Sequence, residues 1–497
     1  MPLHLFRCQT RGVPAEQDAP SPKFGKMISK AYSAKNLMNL RNRISKKILL
    51  IVMGDICILY AALYGSLVIR YGPNLTPGII SKHFISFSII FALWLITFGA
   101  FGFYNLRSMR NEKIFLYRLL RVMATNTIIA ITAFYLFPFE IEPRRNLFII
   151  AAIATVGIFI WRYLFNLVII RAAVMRVVFI GYNQEMIDLA GFLLHHPQLG
   201  HKPVAFISGH EQPLILPADL QHIPLTHEHL SHAIRGTKPD MVIISPEMKS
   251  NKMTVNVLLT LIPLGIGVAE FPAFHEAMTG KIPLSLIEEV WFLENLIGIK
   301  KRSYEFIKRL LDIGIAVPLG IVMLMLFPFL SLAIKLDSPG PVLFRQKRVG
   351  RHGRQFTLVK FRSMVQDAET LSGQKAHGQH IDPRQTRIGG IMRKTYLDEL
   401  PQIMNILAGE MSFIGPRPER PHYVEELKSK IPFYETRLLV PPGITGWAQV
   451  NMENDASVED APEKMQYDLY YTKNRTFVLD LLIALRTFSA IVQRQGR

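Results

Sequence analysis

The sequence predicts a multidomain membrane protein: a four-helix transmembrane unit, a parallel α/β domain, and a second α/β domain with a membrane-associated helix of its own. Three observations predict it. Four apolar runs, near Ile48 to Ile69, Phe84 to Phe103, Leu119 to Phe139 and Leu147 to Ile170, each approach the roughly 20 residues that a helix needs to cross a bilayer. From Arg176 the composition turns soluble, and short β-branched runs alternate with helical spacing. A fifth apolar run, Ile313 to Ile334, has lysine and arginine at both ends.

The chain has 497 residues, a formal net charge of +19 and a hydrophobic share of 49%. This combination fits a membrane protein with basic flanks. The positive charge is spread along those flanks and no recognition module accompanies it, so no nucleic acid partner is expected. The only cysteines, Cys8 and Cys57, exclude a disulfide framework or a thiolate metal site.

Residues 1–47 are polar, basic and proline-bearing, with Arg41, Arg43, Lys46 and Lys47 crowding the first apolar run. They read as a disordered cytoplasmic tail. The run that follows is too long for the apolar part of a signal peptide. The four membrane helices fill residues 48–171. Lysine and arginine are abundant in the tail and in the second loop (Arg107, Arg110, Lys113, Arg118, Arg121), and scarcer in the first (Arg70, Lys82) and third (Arg144, Arg145). Both ends of the unit are therefore expected on the cytoplasmic side. Asp55 inside the first run is costly against lipid, so it should face the bundle or pair with a base.

Residues 176–300 form the middle domain. Val177 to Ile180 reads as a buried strand ending at Gly181, followed by a helix to His195 and by strands at Val204 to Ile207 and Met241 to Ile244. The first turn, Gly181-Tyr182-Asn183-Gln184-Glu185-Met186, keeps only the first glycine of a dinucleotide fingerprint. A degenerate Rossmann-like domain with a regulatory or oligomerising role is expected, and with it a homodimer. His195, His196, His222, His227, His229 and His232 read as exposed polar surface rather than a metal site.

The basic flanks of the fifth run, Lys300, Lys301, Arg302, Lys308 and Arg309 before it and Lys335, Arg345, Lys347 and Arg348 after it, place both ends in the cytoplasm. A re-entrant helix over 313–334 satisfies this, with Gly314, Pro318, Gly320 and Pro328 as break points. Val342 to Arg348 and Phe356 to Phe361 read as strands, and Phe477 to Gln493 as a helix either at the membrane interface or packed in the core.

The chemistry concentrates between Arg384 and Pro418. Pro401 is tolerated only in the opening turn of a helix, so one should start close to Asp398, with Leu400, Met404 and Leu407 on one face. Free N–H groups and the dipole at such a terminus attract anions. Arg393 and Lys394 upstream and Arg417 downstream complete a cationic frame for a diphosphate. By spacing alone, Asp398 is either an N-cap beside a surface Glu399 or a carboxylate placed to attack phosphorus.

Taken together, Lys360-Phe361-Arg362-Ser363-Met364, Asp382-Pro383-Arg384, Thr386-Arg387-Ile388-Gly389, Leu397-Asp398-Glu399-Leu400-Pro401-Gln402, Gly415-Pro416-Arg417-Pro418 and Pro442-Gly443-Ile444-Thr445-Gly446-Trp447-Ala448-Gln449-Val450-Asn451 closely resemble the bacterial sugar transferases, the polyprenyl-phosphate glycosyl-1-phosphate transferases. The resemblance covers roughly Lys308 to Arg497, within a sugar-transferase domain drawn at 305–497. It implies an enzyme of the bacterial inner membrane, multi-pass and with a cytoplasmic catalytic domain. That enzyme would move a sugar-1-phosphate from a UDP-sugar to undecaprenyl phosphate in the lipid bilayer, with glucose the first expectation and galactose the second. By the same resemblance Asp398 is the nucleophile, Glu399 the Mg²⁺ ligand, and Lys360, Arg362, Arg393 and Arg417 bind phosphate or nucleotide. Phe327 before Pro328, where the family usually has serine, departs from its re-entrant pattern. Two other classes fit the sequence less well. An epimerase or dehydratase is opposed by the lost glycines and a missing Tyr-x-x-x-Lys pair, and a non-catalytic scaffold by the retention of Asp398 and Glu399 in the full motif set.

Overall fold

The computed structural model describes residues 22–105, 113–137, 144–172, 174–209, 216–217, 220–225, 230–249, 251–286, 291–292, 301–366, 368, 384–452 and 460–492. The expectations that rest on residues 1–21, Arg107, Arg110, His227, His229, Lys300, Asp382 and Pro383 lie outside these residues.

Helices α1 (Pro22–Tyr71), α2 (Pro77–Ala100), α3 (Lys113–Leu136) and α4 (Arg144–Ala172) form the amino-terminal unit. All four contain apolar stretches long enough to cross a membrane. The helix begins at Pro22, so the segment expected as a disordered tail is helical from that point. Extension of an existing helix costs far less than starting one, and the lysine, leucine, methionine and alanine of this segment are good helix formers. Gly54 and Gly157 let α1 and α4 approach closely, because a Cβ on Gly54 would strike Trp161 and one on Gly157 would strike Ile58. Between these two helices Arg162 Nη2 meets Asp55 Oδ2 at 2.6 Å, with both side chains buried. Asp55 thus has the basic partner that its place in the first apolar run demanded. Trp94 Nε1 donates to Asn126 O at 2.9 Å, and Thr97 bonds the Asn126 side chain, tying α2 to α3.

The middle domain is a five-stranded parallel sheet in the order β3-β2-β1-β4-β5. Its strands are β1 (Met175–Ile180), β2 (His201–Ser208), β3 (Gln221–Pro224), β4 (Met241–Ile244) and β5 (Gly267–Glu270), and its helices α5 (Gln184–His195), α6 (Leu230–Thr237), α7 (Pro246–Lys249), α8 (Lys252–Leu261) and α9 (Phe271–Thr279). This is the doubly wound topology. The central strands bury Val177 to Ile180 and Met241 to Ile244. The β1/β4 switch is where such sheets bind ligands. Gly181 has φ +104°, Ser245 and Met248 stand where a Cβ would go, and Asn183 Oδ1 accepts from Glu185 N at 2.8 Å.

The third region opens with α10 (Arg302–Asp337), a 36-residue helix that continues through Pro318 and Pro328. The expected break inside 313–334 is therefore absent from the secondary structure. A proline removes one hydrogen bond and crowds one turn, which a long helix supported on one side absorbs without ending. Support runs along the whole helix. Lys308 Nζ contacts Asp480 Oδ2 at 2.9 Å, Asp312 Oδ1 accepts from Phe413 N, Gly320 faces Ile403, Phe327 packs on Phe361, and Asp337 Oδ2 accepts from Ile388 N at 2.8 Å. The opposite face exposes Phe306, Leu310, Val317, Leu324, Met325, Phe329 and Leu336. One side of α10 thus lies on the domain while the other presents apolar side chains outward.

Strands β6 (Leu343–Val349) and β7 (Gln355–Phe361) pair as an antiparallel hairpin. Then come α11 (Arg387–Thr395), a 3₁₀ turn at Leu397–Gln402, α12 (Ile403–Ala408), β8 (Ser412–Ile414), α13 (Pro421–Lys430), β9 (Gly443–Thr445), α14 (Ala461–Asn474) and α15 (Phe477–Val492). Helix α15 packs against α2 of the membrane unit, with Val478 and Leu481 exposed beside it. Trp447 Nε1 donates to Gly280 O at 2.9 Å, and Ile282 and Phe292 enter the core built around Val424, Met465 and Leu469. The middle domain is therefore docked on the third region, and Trp447 is a core residue.

Candidate active site

Thr386 caps α11, its Oγ1 accepting from Gly389 N at 3.0 Å. Gly389 is required because a Cβ there would collide with the backbone of Ser363. Tyr396, with φ +58°, ends the helix in the left-handed region, an uncommon conformation for a side chain of this size. The chain then turns sharply into the 3₁₀ segment, which brings Asp398 and Glu399 round and holds Pro401 where a missing N–H is harmless. The helix expected from Pro401 does begin here. Its first turn is 3₁₀, and Asp398 is its second residue rather than its N-cap, with no side-chain cap bond at this terminus. The N-cap role is thus removed from Asp398.

Cations from three elements converge on the pair. Lys360, near the end of β7, places Nζ 2.6 Å from Glu399 Oε1. Arg417, in the loop after β8, places Nη2 3.6 Å from the same oxygen. Arg393 comes from the last turn of α11 and acts electrostatically on Asp398. Its Nη1 is buried and has no hydrogen-bond partner among the described residues. A buried guanidinium nitrogen without an acceptor is costly, so a site that leaves one open suits an anionic ligand.

The two acids sit in different electrostatic states. Burial raises the Asp398 carboxyl above the usual aspartate range and Glu399 beside it adds to the rise, while Lys360 and Arg393 oppose it. Burial also pushes Glu399 up, but Lys360 and Arg417 overcome this and hold it below the usual glutamate range. One lysine and one arginine therefore keep Glu399 ionised, and the more loosely compensated charge is on Asp398.

Arg362 does not join this frame. Its guanidinium is buried and donates to Pro339 O at 2.6 Å, Ser338 O at 2.6 Å and Ser338 Oγ at 3.0 Å, closing the carboxyl end of α10. The structure gives it a capping role at the residues that follow this helix, where a cation is favoured. The structure also adds residues that spacing did not reveal. Arg437 donates to Arg417 O and Arg348 to Pro418 O, each at 2.9 Å. Nothing in the local sequence marks either contact, because each spans 20 or more positions.

Glycine shapes the second half of the site. Strands β8 and β9 pair in parallel, Ser412 with Gly443 and Ile414 with Thr445. A Cβ on Gly415, Gly443 or Gly446 would collide with the facing backbone. The Gly-Pro-Arg-Pro and Pro-Gly-Ile-Thr-Gly-Trp motifs are thus two halves of one tight contact that presents Arg417.

A divalent cation has two carboxylates to bind here. Lys360 and Arg417 both engage Glu399 through Oε1, and the Asp398 carboxylate lies beside it. Among the described residues no group of three or more His, Cys, Asp or Glu could hold a metal. The donor set suits Mg²⁺, which typically takes one or two carboxylates and fills the rest of its shell with water and substrate phosphate.

Fold and site together define a membrane protein whose buried acidic pair is framed by cations beside a long apolar helix. Residues 303–494 match the family described as bacterial sugar transferase. The chain is 42% identical over 240 residues to the UDP-N-acetylgalactosamine-undecaprenyl-phosphate N-acetylgalactosaminephosphotransferase of Aeromonas hydrophila, a match that covers 46% of this chain and 54% of that one. It is 30% identical over 331 residues to the UDP-glucose:undecaprenyl-phosphate glucose-1-phosphate transferase of Xanthomonas campestris pv. campestris, covering 63% and 66%. A Bacillus subtilis protein, a putative undecaprenyl-phosphate N-acetylgalactosaminyl 1-phosphate transferase, is 47% identical over 140 residues, which cover 28% of this chain and 76% of that protein. The first two matches thus span between half and two thirds of those relatives. The chain belongs to the bacterial sugar transferase family.

Proposed function

We propose that the protein transfers a sugar-1-phosphate from a UDP-sugar to undecaprenyl phosphate, releasing UMP, at the cytoplasmic face of the bacterial inner membrane. The observation that carries this reading is the Asp398–Glu399 pair, in which Lys360 and Arg417 hold one acid ionised while the adjacent acid faces an arginine with an open donor. Asp398 attacks the β-phosphorus, a P–O bond forms to its carboxylate, and the bond to UMP breaks with its electrons on the departing phosphate. The phosphate oxygen of undecaprenyl phosphate then attacks the same phosphorus and regenerates Asp398. Arg393 and Arg417 bind the diphosphate oxygens, and Lys360 fixes Glu399. Glu399 would hold Mg²⁺, which would supply charge neutralisation at the diphosphate when bound.

Helix α10 suits an acceptor held in lipid. Its inner face packs on the domain that holds the site, its outer face exposes apolar side chains, and its basic flanks favour both ends on the cytoplasmic side. Glucose-1-phosphate is the first sugar to test and galactose-1-phosphate the second. N-acetylgalactosamine belongs in the same panel because the 42% identical relative is named for it. The product would prime exopolysaccharide, capsule or O-antigen assembly, and the middle domain is the natural place for a homodimer contact. The test is UMP release by detergent-solubilised protein with Mg²⁺, undecaprenyl phosphate and each UDP-sugar, beside Asp398→Asn. Release with one donor, lost in the variant, supports the transferase. No release with any donor from folded protein favours a non-catalytic membrane scaffold.

A further inference from the structure

The loop that carries Arg417 is anchored at four successive carbonyls. Pro416 O accepts from Gly443 N, Arg417 O from Arg437 Nη2, Pro418 O from Arg348 Nη1 and Glu419 O from Val349 N, each at 2.9 Å. Arg437 is unlike the other anchors because it reaches the loop out of a buried charge pair. Its Nε lies 2.9 Å and its Nη2 2.8 Å from Asp468 Oδ2, its Nη1 donates to Tyr434 Oη at 2.9 Å, and it is only 2% exposed. Lys464, bonded to Glu419 at 2.5 Å, adds a second, partly buried contact to the same loop. Well-packed apolar residues would stabilise such a core as well as a buried ion pair or better, so stability alone gives little reason for this arrangement. What the ion pair adds is direction. Asp468 holds the planar guanidinium, and the guanidinium holds the main chain of the residue whose own guanidinium lies 3.6 Å from Glu399.

The geometry points to Arg437 as a positioning residue for the transfer reaction: backed by Asp468, it fixes the backbone of Arg417 so that the Arg417 side chain meets the substrate phosphate beside Asp398 and Glu399. This rests on the transferase reading above. Arg437 does not itself touch the acidic pair. Its influence passes through a single carbonyl, and a shift of about 1 Å in a phosphate-binding group is enough to slow a reaction on the order of 100-fold.

A double-mutant cycle in the full-length protein tests it. UMP release and thermal unfolding are measured for Arg437→Lys, Arg417→Ala and the two combined. Arg437→Lys is expected to lower kcat roughly 10- to 100-fold with a smaller change in KM. In the Arg417→Ala background it should lower kcat no further, while its effect on the unfolding temperature persists in both backgrounds. Losses in kcat that multiply would overturn the inference, since Arg437 would then act on something other than Arg417. If Arg437→Lys does not fold, Tyr434→Phe takes its place, because it removes only the acceptor of Nη1. A fall in kcat that vanishes in the Arg417→Ala background supports the inference, and an unchanged kcat overturns it. Should the unmodified protein release no UMP, the transferase reading falls by itself. The same cycle, read as UDP affinity by calorimetry, then decides on Arg437 by the same non-additivity.

Discussion

Lys360 Nζ lies 2.6 Å from Glu399 Oε1, and the side chains are only 18% and 13% exposed. One lysine on a strand thereby sets the charge of the acid next to Asp398. Glu399 stays ionised because Lys360 and Arg417 outweigh the burial that would otherwise raise its carboxyl. Without the lysine, burial gains the upper hand.

Lys360→Met should therefore move the acidic limb of the pH–activity profile to higher pH and lower kcat/KM at pH 7 on the order of 10- to 100-fold. The sign also shows in stability. A depressed carboxyl contributes stability above its unfolded pKa, and that contribution is lost as the pH falls through the folded value. The variant should lose less stability on acidification than the unmodified protein does. UMP release and thermal unfolding across pH 4 to 8 measure both, and an unmoved acidic limb counts against the role given to Lys360.

Arg362 closes the carboxyl end of α10. Arg362→Met removes the donor from the partly exposed carbonyls of Ser338 and Pro339 and should cost about 1–2 kcal/mol of stability. KM for the UDP-sugar should stay within about twofold, because no contact with the acidic pair is lost. A large rise in KM without destabilisation would return the residue to the substrate site.

Asp55 and Arg162 form a buried pair inside the membrane unit. Asp55→Leu alone removes the carboxylate partner of a buried guanidinium and should cost about 3–5 kcal/mol, whereas Asp55→Leu with Arg162→Met should recover most of that loss. Thermal unfolding in detergent reads the difference. A doubly substituted protein that is stable yet unable to release UMP would show that the pair serves the reaction rather than the bundle.

Much of this was legible in the sequence where the controlling interactions are local. Pro401 announced the helix start within a few residues of Asp398, and Lys360, Arg393 and Arg417 stood in motifs whose spacing survives folding as a cluster. The four membrane helices and the central strands β1 and β4 followed from long or continuous apolar runs. The remainder depends on distant partners. Asp55 demanded a base, yet Arg162 lies 107 positions away on α4. Arg362 belongs to a motif, but its use is decided by the end of α10 folding back 23 to 24 positions earlier in the chain. The continuity of α10 through Pro318 and Pro328 depends on its packing against the domain, which composition does not report. The edge strands β3 and β5 are four residues each, and β3 is too polar to stand out as a strand.

The central claim is that Asp398 becomes covalently linked to the phosphosugar. Its most direct test is mass spectrometry of the protein incubated with the UDP-sugar and Mg²⁺ in the absence of undecaprenyl phosphate. The account predicts a phosphosugar adduct on the peptide containing Asp398, discharged when undecaprenyl phosphate is added and absent from Asp398→Asn. UMP release that needs both substrates together and leaves no adduct on Asp398 would contradict it, and would assign the transfer to a single direct displacement.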